Sequence, residues 1–358
     1  MNYLTVSNLT KSYDGISVLS GVDLNVNRGE FVSLLGPSGC GKTTILRLLA
    51  GFTHADTGHV TLDGEHIEDV PSHKRDIGFV FQDYALFPHL NVARNVAFGL
   101  GRRKVPKDEI RERVERILEV VQLSRFADRD TNQLSGGQRQ RVALARAMVV
   151  NPRLLLLDES LSALDKKMRV DMQVELRQIQ QTLGITTIFV THDQEEAMTM
   201  SDRIAVMRTG QIAQLGTPSE IYHKPTDGYV ARAVGDINLF GGEVKGPGDP
   251  GLDVTLGDGT EIAAASLEDF QRGDKVTVGI RPQDLSIVRQ QPAGAALRAR
   301  VSYLSFAGTT WNVGAEAIGQ LLKVQADGNG EMLHGVNAGD EVWLTWKPER
   351  IHVLRDSV

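Results

Sequence analysis

The run "EFVSLLGPSGCGKTTILRLLAG" constrains this chain more than any other stretch of it. A strand-like segment leads into Gly36-Pro37-Ser38-Gly39-Cys40-Gly41-Lys42-Thr43, with Thr44 next. This octet fits the phosphate-loop spacing GxxxxGK[ST]. "KTTILRLLAG" then has helical spacing and a glycine stop at Gly51. Phosphate oxygens need donors on several sides, and glycines let backbone N–H groups converge without Cβ clashes. Lys42 would reach the terminal phosphates, and the Thr43 hydroxyl would complete magnesium coordination. Cys40 fills a position of the pattern that tolerates many residues, although a helix N-terminus lowers a thiol pKa.

The rest of the first half reads as an α/β domain. "LTVSNLTKSY" and "GVDLNVNRGEFVSLLG" read as strands with turns at Asp14-Gly15 and Arg28-Gly29, and "HVTLDGEHI" as a hairpin turned at Asp63-Gly64. Ile110, Val114, Ile117, Leu118 and Val121 mark one face of an amphipathic helix. "RLLLLDE" and "TTIFVTHD" are continuous apolar runs ending in polar residues, as buried parallel strands do. After about Gly235 the character changes. Glycine, proline and β-branched residues recur, with strand-like pieces at "KVTVGIRP", "LRARVSYLSFAG", "WNVGAE", "QLLKVQA" and "EVWLTWKPERIHVL". Two domains are expected, 1–235 and 236–358, the second a small β-barrel or sandwich.

Composition narrows the function classes. The chain has 358 residues, formal charge −6 and a single cysteine, Cys40. That balance argues against non-specific nucleic-acid binding, and one cysteine forbids an intramolecular disulfide. No run approaches the ~20 apolar residues needed to cross a bilayer, and "MNYLTVSNLTKSYDG" lacks signal-peptide character. A cytosolic chain is expected, with any membrane role supplied by a partner.

Further polar residues stand where open α/β sheets bind ligands, at strand ends. Asp158 and Glu159 close the run Leu154–Leu157. Asp158 suits a magnesium-linked role, and side-chain alternation would turn Glu159 elsewhere, placed to polarise an attacking water. Gln82 follows "IGFVF" and could contact the metal or that water; His192 follows "TTIFV" and could donate to a γ-phosphate. Tyr13 could stack on adenine. A second glycine pair opens "LSGGQRQRVALARA", where Ser135 caps a helix.

With these residues assembled, 1–235 resembles the ATPase subunit of an ATP-binding cassette importer. The matches are Tyr13, the loop 36–44, Gln82, "LSGGQ" at 134–138, "LLLLDE" at 154–159, "SALD" at 162–165 and His192. The resemblance implies a P-loop cassette with a helical subdomain at about 88–150, ATP and Mg2+ as ligands, and Thr43, Gln82 and Asp158 at the metal. It also implies that two copies bind head to tail. Ser135, Gly136, Gly137, Gln138 and Asp165 would then act on the nucleotide held by the other copy. Ser160 stands where the family commonly has proline, which frees the backbone beside Glu159 and removes no catalytic group.

"FQDYALFPHLNVARNVAFGL" is similar to the segment by which small-solute importers receive a short helix of the membrane permease, with some of Tyr84, Leu86 and Phe87 expected in the core. "GIRPQDL" and "WLTWKPERIHVL" resemble the oligonucleotide-fold domains appended to this branch, read as regulatory or dimer-stabilising and not as nucleic-acid binding. The junction phrase "VGDINLF" looks closest to polyamine importers. Sulfate, ferric iron, phosphonate and sugar systems are the alternatives. The resemblance places the chain on the inner face of a prokaryotic membrane, served indirectly by an extracytoplasmic solute-binding protein. A non-transport cassette ATPase is the competing class. A DNA-repair member would need a coiled-coil insertion between Gln82 and Leu134, and a ribosome-acting member a second phosphate loop.

Overall fold

A computed structural model describes residues 2–162, 164–249, 251–265 and 269–355; Ala163, inside the 162–165 run named above, lies outside them. The chain divides into two compact units, 1–218 and 219–358. The first runs β1 (Leu4–Tyr13), β2 (Ile16–Val26), β3 (Phe31–Leu35), α1 (Lys42–Ala50), β4 (Thr57–Leu62), β5 (Glu65–His66), β6 (Ile77–Val80), α2 (Val92–Arg102), α3 (Lys107–Val120), α4 (Gly136–Met148), β7 (Leu154–Asp158), α5 (Lys166–Leu183), β8 (Thr187–Thr191), α6 (Gln194–Met200), β9 (Arg203–Arg208) and β10 (Gln211–Gly216). The Asp-Gly signals act as the sequence suggests. Asp14, Gly15, Asp63 and Gly64 all have positive φ, which two-residue hairpins between right-twisted strands require.

Among the described residues the first unit holds two sheets. An antiparallel sheet has the order β2-β1-β4-β5. The other has the order β10-β9-β3-β8-β7-β6, parallel apart from β10. Its central strands are buried on both faces, which is why "FVSLL", "LLLLD" and "TIFVT" lack alternation. The register aligns their C-terminal ends: Leu35 pairs with Thr191, Val190 with Asp158, and Leu157 with Val80. Four chain segments therefore leave the sheet along one edge, carrying Gly36, Phe81, Glu159 and His192. Helices α2 to α5 share one core, around Val96, Leu118, Val142, Leu144 and Leu176, with Phe31, Val80, Leu155, Leu157 and Phe189 of the parallel strands.

After α7 (Pro218–His223), whose first residue ends the first unit, the second unit carries α8 (Gly228–Ala233), β11 (Asn238–Pro247), β12 (Leu252–Leu256), β13 (Glu261–Ala264), β14 (Lys275–Ile280), β15 (Leu285–Val288), β16 (Leu297–Phe306), β17 (Thr310–Ala317), β18 (Gln320–Asp327), β19 (Glu341–Trp346) and β20 (Ile351–Arg355). These form two antiparallel sheets, β13-β12-β11-β14-β20 and β15-β19-β16-β17-β18, around one core. The composition break after Gly235 falls inside this unit. Arg281, only 1% exposed, explains why. Its guanidinium stacks on the Tyr222 ring at 3.6 Å and donates to the Tyr222 carbonyl at 2.9 Å, tying the segment before the break to the β-strands after it.

Candidate functional site

The phosphate loop connects β3 to α1. Gly39 and Gly41 have φ of 83° and 105°, and a Cβ at Gly36 would come within 2.7 Å of the Met207 carbonyl. Side chains at these positions would be strained or would collide, so the glycines are a steric requirement. Lys42 is 4% exposed, and its Nζ donates to the carbonyls of Gly36 and Pro37 at 2.7 and 2.9 Å. Burial pushes the Cys40 thiol up and outweighs the pull of the nearby Lys42 charge, so the helix N-terminus does not make a reactive thiolate here. The adjacent hairpin brings Val18 and Leu19 of β2 against Gly41. Tyr13 ends β1, 42% exposed, with Lys11 Nζ 5.3 Å from its ring centroid.

Asp158 ends β7 and accepts a hydrogen bond from Thr43 Oγ1 at 3.1 Å. Burial pushes its carboxyl up, the Thr43 bond opposes this, and the Glu159 charge pushes the same way as burial. Glu159 departs from the alternation expected for a strand. Its φ is 44°, so a left-handed turn re-aims the side chain. For a non-glycine residue this costs ~1–3 kcal/mol and is tolerated when the surroundings over-determine it. The surroundings do so here: Glu159 N donates to the Val190 carbonyl at 3.0 Å, and Ser162 Oγ donates to the Glu159 carbonyl at 2.8 Å. The side chain meets Gln82 Nε2 at 3.3 Å through one oxygen and His192 Nδ1 at 3.5 Å through the other. Three residues distant in sequence thus converge at one carboxylate.

Ser160 is wholly buried, and its Oγ finds no hydrogen-bond partner among the described residues. A buried unsatisfied hydroxyl costs about 1–3 kcal/mol. The hydroxyl therefore adds no anchor beside Glu159.

The second glycine pair begins α4. Ser135 Oγ accepts from Gln138 N at 3.3 Å while Gln138 Oε1 accepts from Ser135 N at 3.0 Å, a reciprocal capping box. A Cβ at Gly137 would meet Met168 Sδ at 2.9 Å, whereas one at Gly136 would make ordinary contact with Leu164 at 3.4 Å. Asp165 caps α5 by accepting from Met168 N at 2.9 Å.

Sequence reasoning passed over a set of supporting residues. Arg169 donates to the Leu164 carbonyl at 3.0 Å and to Asp193 Oδ2 at 3.2 Å, joining the chain beside Asp165 to the chain beside His192. Thr191 Oγ1 donates to the buried Glu196 and accepts from Asp193 N, fixing the turn that carries His192. In the segment after Gln82, the buried Asn95 side chain exchanges hydrogen bonds with Phe87 and donates to the Leu90 and Asn91 carbonyls. Arg146 donates to the carbonyls of Tyr84 and Ala85, both at positive φ. Tyr84 is buried, Leu86 packs on the helical core, and Phe87 lies against the exposed Phe98 with ring centroids 4.3 Å apart and the rings tilted by 38°. The available signals were arginines on helices that each carry more than one and an asparagine in an apolar run, all commonplace.

A phosphate loop, an Asp-Glu pair, a glutamine and a histidine on one edge of a parallel sheet define an ATPase of the nucleotide-binding cassette class. The ABC transporter family matches residues 19–162, and the TOBE domain family matches residues 278–354. The spermidine/putrescine import ATP-binding protein PotA of Nitratidesulfovibrio vulgaris is 48% identical over 86% of this chain and 85% of its own length. The protein of the same name from Hahella chejuensis is 53% identical over 79% of this chain and 78% of its own length. Among solved structures, cbiO1 of Clostridium perfringens, part of the ABC transporter complex cbiONQ, is 34% identical. It has a TM-score of 0.59, with 65% of this chain and 94% of that chain covered. The chain belongs to the ABC transporter family, as an ATP-binding protein with a C-terminal TOBE domain, and it hydrolyses ATP to drive transport.

Proposed function

We propose that this protein is the ATPase subunit of a polyamine importer, working as a head-to-tail pair beneath membrane permease subunits that an extracytoplasmic binding protein supplies with solute. One observation carries the solute: 48% and 53% identity, over 86% and 79% of this chain, to proteins named for spermidine and putrescine import. No helix among the described residues is long and apolar enough to cross a membrane, in keeping with a peripheral subunit on the cytoplasmic face. The segment 81–100, with Phe87 and Phe98 partly open, is the surface offered to the permease.

Within the site, the chain's own groups divide the work. The loop amides of 36–44 and Lys42 bind and orient the phosphates. Glu159 accepts a proton from the attacking water, with Gln82 beside it holding that water in line. His192 holds the γ-phosphate side of the same site. The Thr43 hydroxyl and Asp158 carboxylate, 3.1 Å apart, are the hard oxygen donors that Mg2+ prefers. Mg2+ bound there would neutralise phosphate charge. Tyr13 supplies a face for the base, and Ser135, Gly136, Gly137, Gln138 and Asp165 complete the partner copy's site.

The solute is tested by reconstituting the chain with its permease and binding protein in proteoliposomes. ATP-dependent spermidine or putrescine uptake is expected; uptake of sulfate, ferric iron, phosphonate or sugar instead rejects the polyamine assignment. The head-to-tail pairing is tested separately with Gly136→Asp. The chain around Gly136 accommodates a Cβ, and an acid suits a helix N-terminus, so this variant should fold. Its charge would repel the partner's nucleotide. Mixing it with Lys42→Ala, each inactive alone, should restore part of the activity, and full turnover by Gly136→Asp alone rejects a trans role.

A further inference from the structure

We infer that the β4–β5 hairpin of the first unit carries a binding site for a borderline divalent transition-metal cation, formed by His59, His66 and Glu68 and separate from the nucleotide's magnesium. The hairpin register pairs Thr61 with His66 and Leu62 with Glu65. Continuing it, Ile67 N donates to the Val60 carbonyl, which brings Glu68 opposite His59. With a side-chain period of two, His59, His66 and Glu68 share one sheet face as a directly opposed pair and its diagonal neighbour.

The side chains are already gathered. Glu68 Oε1 lies 3.0 Å from His59 Nδ1 and 3.1 Å from His66 Nδ1, and candidate ligand atoms of all three residues lie within 4.8 Å of one another. Both imidazoles are largely exposed, so a cation can reach them from solvent. Either ring can move its proton to Nε2 and present the Nδ1 lone pair where it now contacts the carboxylate.

The support is rigid, which a three-ligand site needs. Glu68 Oε2 accepts from Val60 N, and Arg75, 2% exposed, donates to the carbonyls of Glu68, Val70, Leu48 and Leu49. Arg75 thereby ties the hairpin base to the last turn of α1. On the other side, β1 sets the neutral Ser7 opposite His59, so no cation competes for the carboxylate from that strand. Two imidazoles and one carboxylate select Zn2+, Co2+, Ni2+ or Cu2+, with the remaining coordination open to water. Mg2+ prefers an all-oxygen set and would not compete.

The test uses untagged, metal-stripped full-length protein without nucleotide, titrated with Co2+ by absorption spectroscopy and with Zn2+ by calorimetry. One equivalent should bind at micromolar cation in the presence of excess Mg2+. His59→Ala and His66→Ala should each weaken binding by about tenfold or more, and the double substitution should abolish it. Absence of one-equivalent binding, or unchanged affinity in the double variant, would overturn the site. In the wild-type chain, sub-stoichiometric Ni2+ should broaden the His59 and His66 imidazole resonances first; broadening that begins at other histidines also rejects it.

Discussion

The parallel sheet of the first unit and the antiparallel sheets of the second bury similar side chains, yet chemistry collects on only one of them. Across the first unit's parallel strands, β9-β3-β8-β7-β6, the strand ends all point the same way. Register alone therefore brings Gly36, Phe81, Glu159 and His192 to one edge. In the second unit neighbouring strands run in opposite directions, so successive strand ends fall on opposite edges of each sheet. Strand direction, more than composition, decides where a catalytic set can assemble.

The strongest way to sharpen this contrast is to disable the edge while leaving its shape. Glu159→Gln keeps the volume and the neighbours of Glu159 but removes its basicity. Turnover should fall by ~10²–10⁴-fold with ATP affinity retained. An ATP-bound dimer should accumulate on size-exclusion chromatography, and hydrolysis at the wild-type rate would remove Glu159 from the mechanism.

A second test asks whether the two regions are energetically separate. Leu344 of β19 is wholly buried in the second unit's core, and Leu344→Ala should cost about 2–5 kcal/mol there. All three tryptophans, Trp311, Trp343 and Trp346, lie in that unit, so fluorescence follows its unfolding alone. Nucleotide binding, measured in parallel, should persist beyond the fluorescence transition. Loss of both in one step would break the comparison.

The smallest effect expected is graded with pH. Burial, with the Arg281 and His223 charges, lowers the His352 imidazole to about 4, below its ordinary 6.5. The unfolded chain therefore takes up this proton first. Its contribution to stability is complete above pH 6.5 and is lost as pH falls toward about 4, by at most ~1.4 kcal/mol per pH unit. Denaturant titrations followed by tryptophan fluorescence should show this slope, and His352→Gln should flatten it. An unchanged slope would mean that His352 is not held neutral.

Legibility followed how local each feature is. The strand–loop–helix at 31–51, the Asp-Gly hairpins, the amphipathic α3 and the capping box at Ser135 depend on a few consecutive residues, and the sequence displays them. Strands β11, β12, β13 and β15 were harder to see. In β11, Gly241, Gly242, Gly246 and Pro247 interrupt the alternation that would announce a strand. The composition change at 235 is a local signal, whereas the contact of Arg281 with Tyr222, which joins the segment before 235 to the β-strands after it, is not.

By itself, the sequence determined the presence of a phosphate loop, the acidic pair 158–159, the glycine-opened helix at 136 and the change to β-structure. Each is written in short-range spacing and backbone preference. Only the tertiary structure decided that Gln82, Glu159 and His192 meet, that a left-handed turn aims Glu159, and that Arg169 joins Leu164 to Asp193. Only it gathered His59, His66 and Glu68 on one face. These depend on strand order, register and burial, which arise when distant segments pack to exclude water, and no local pattern encodes them.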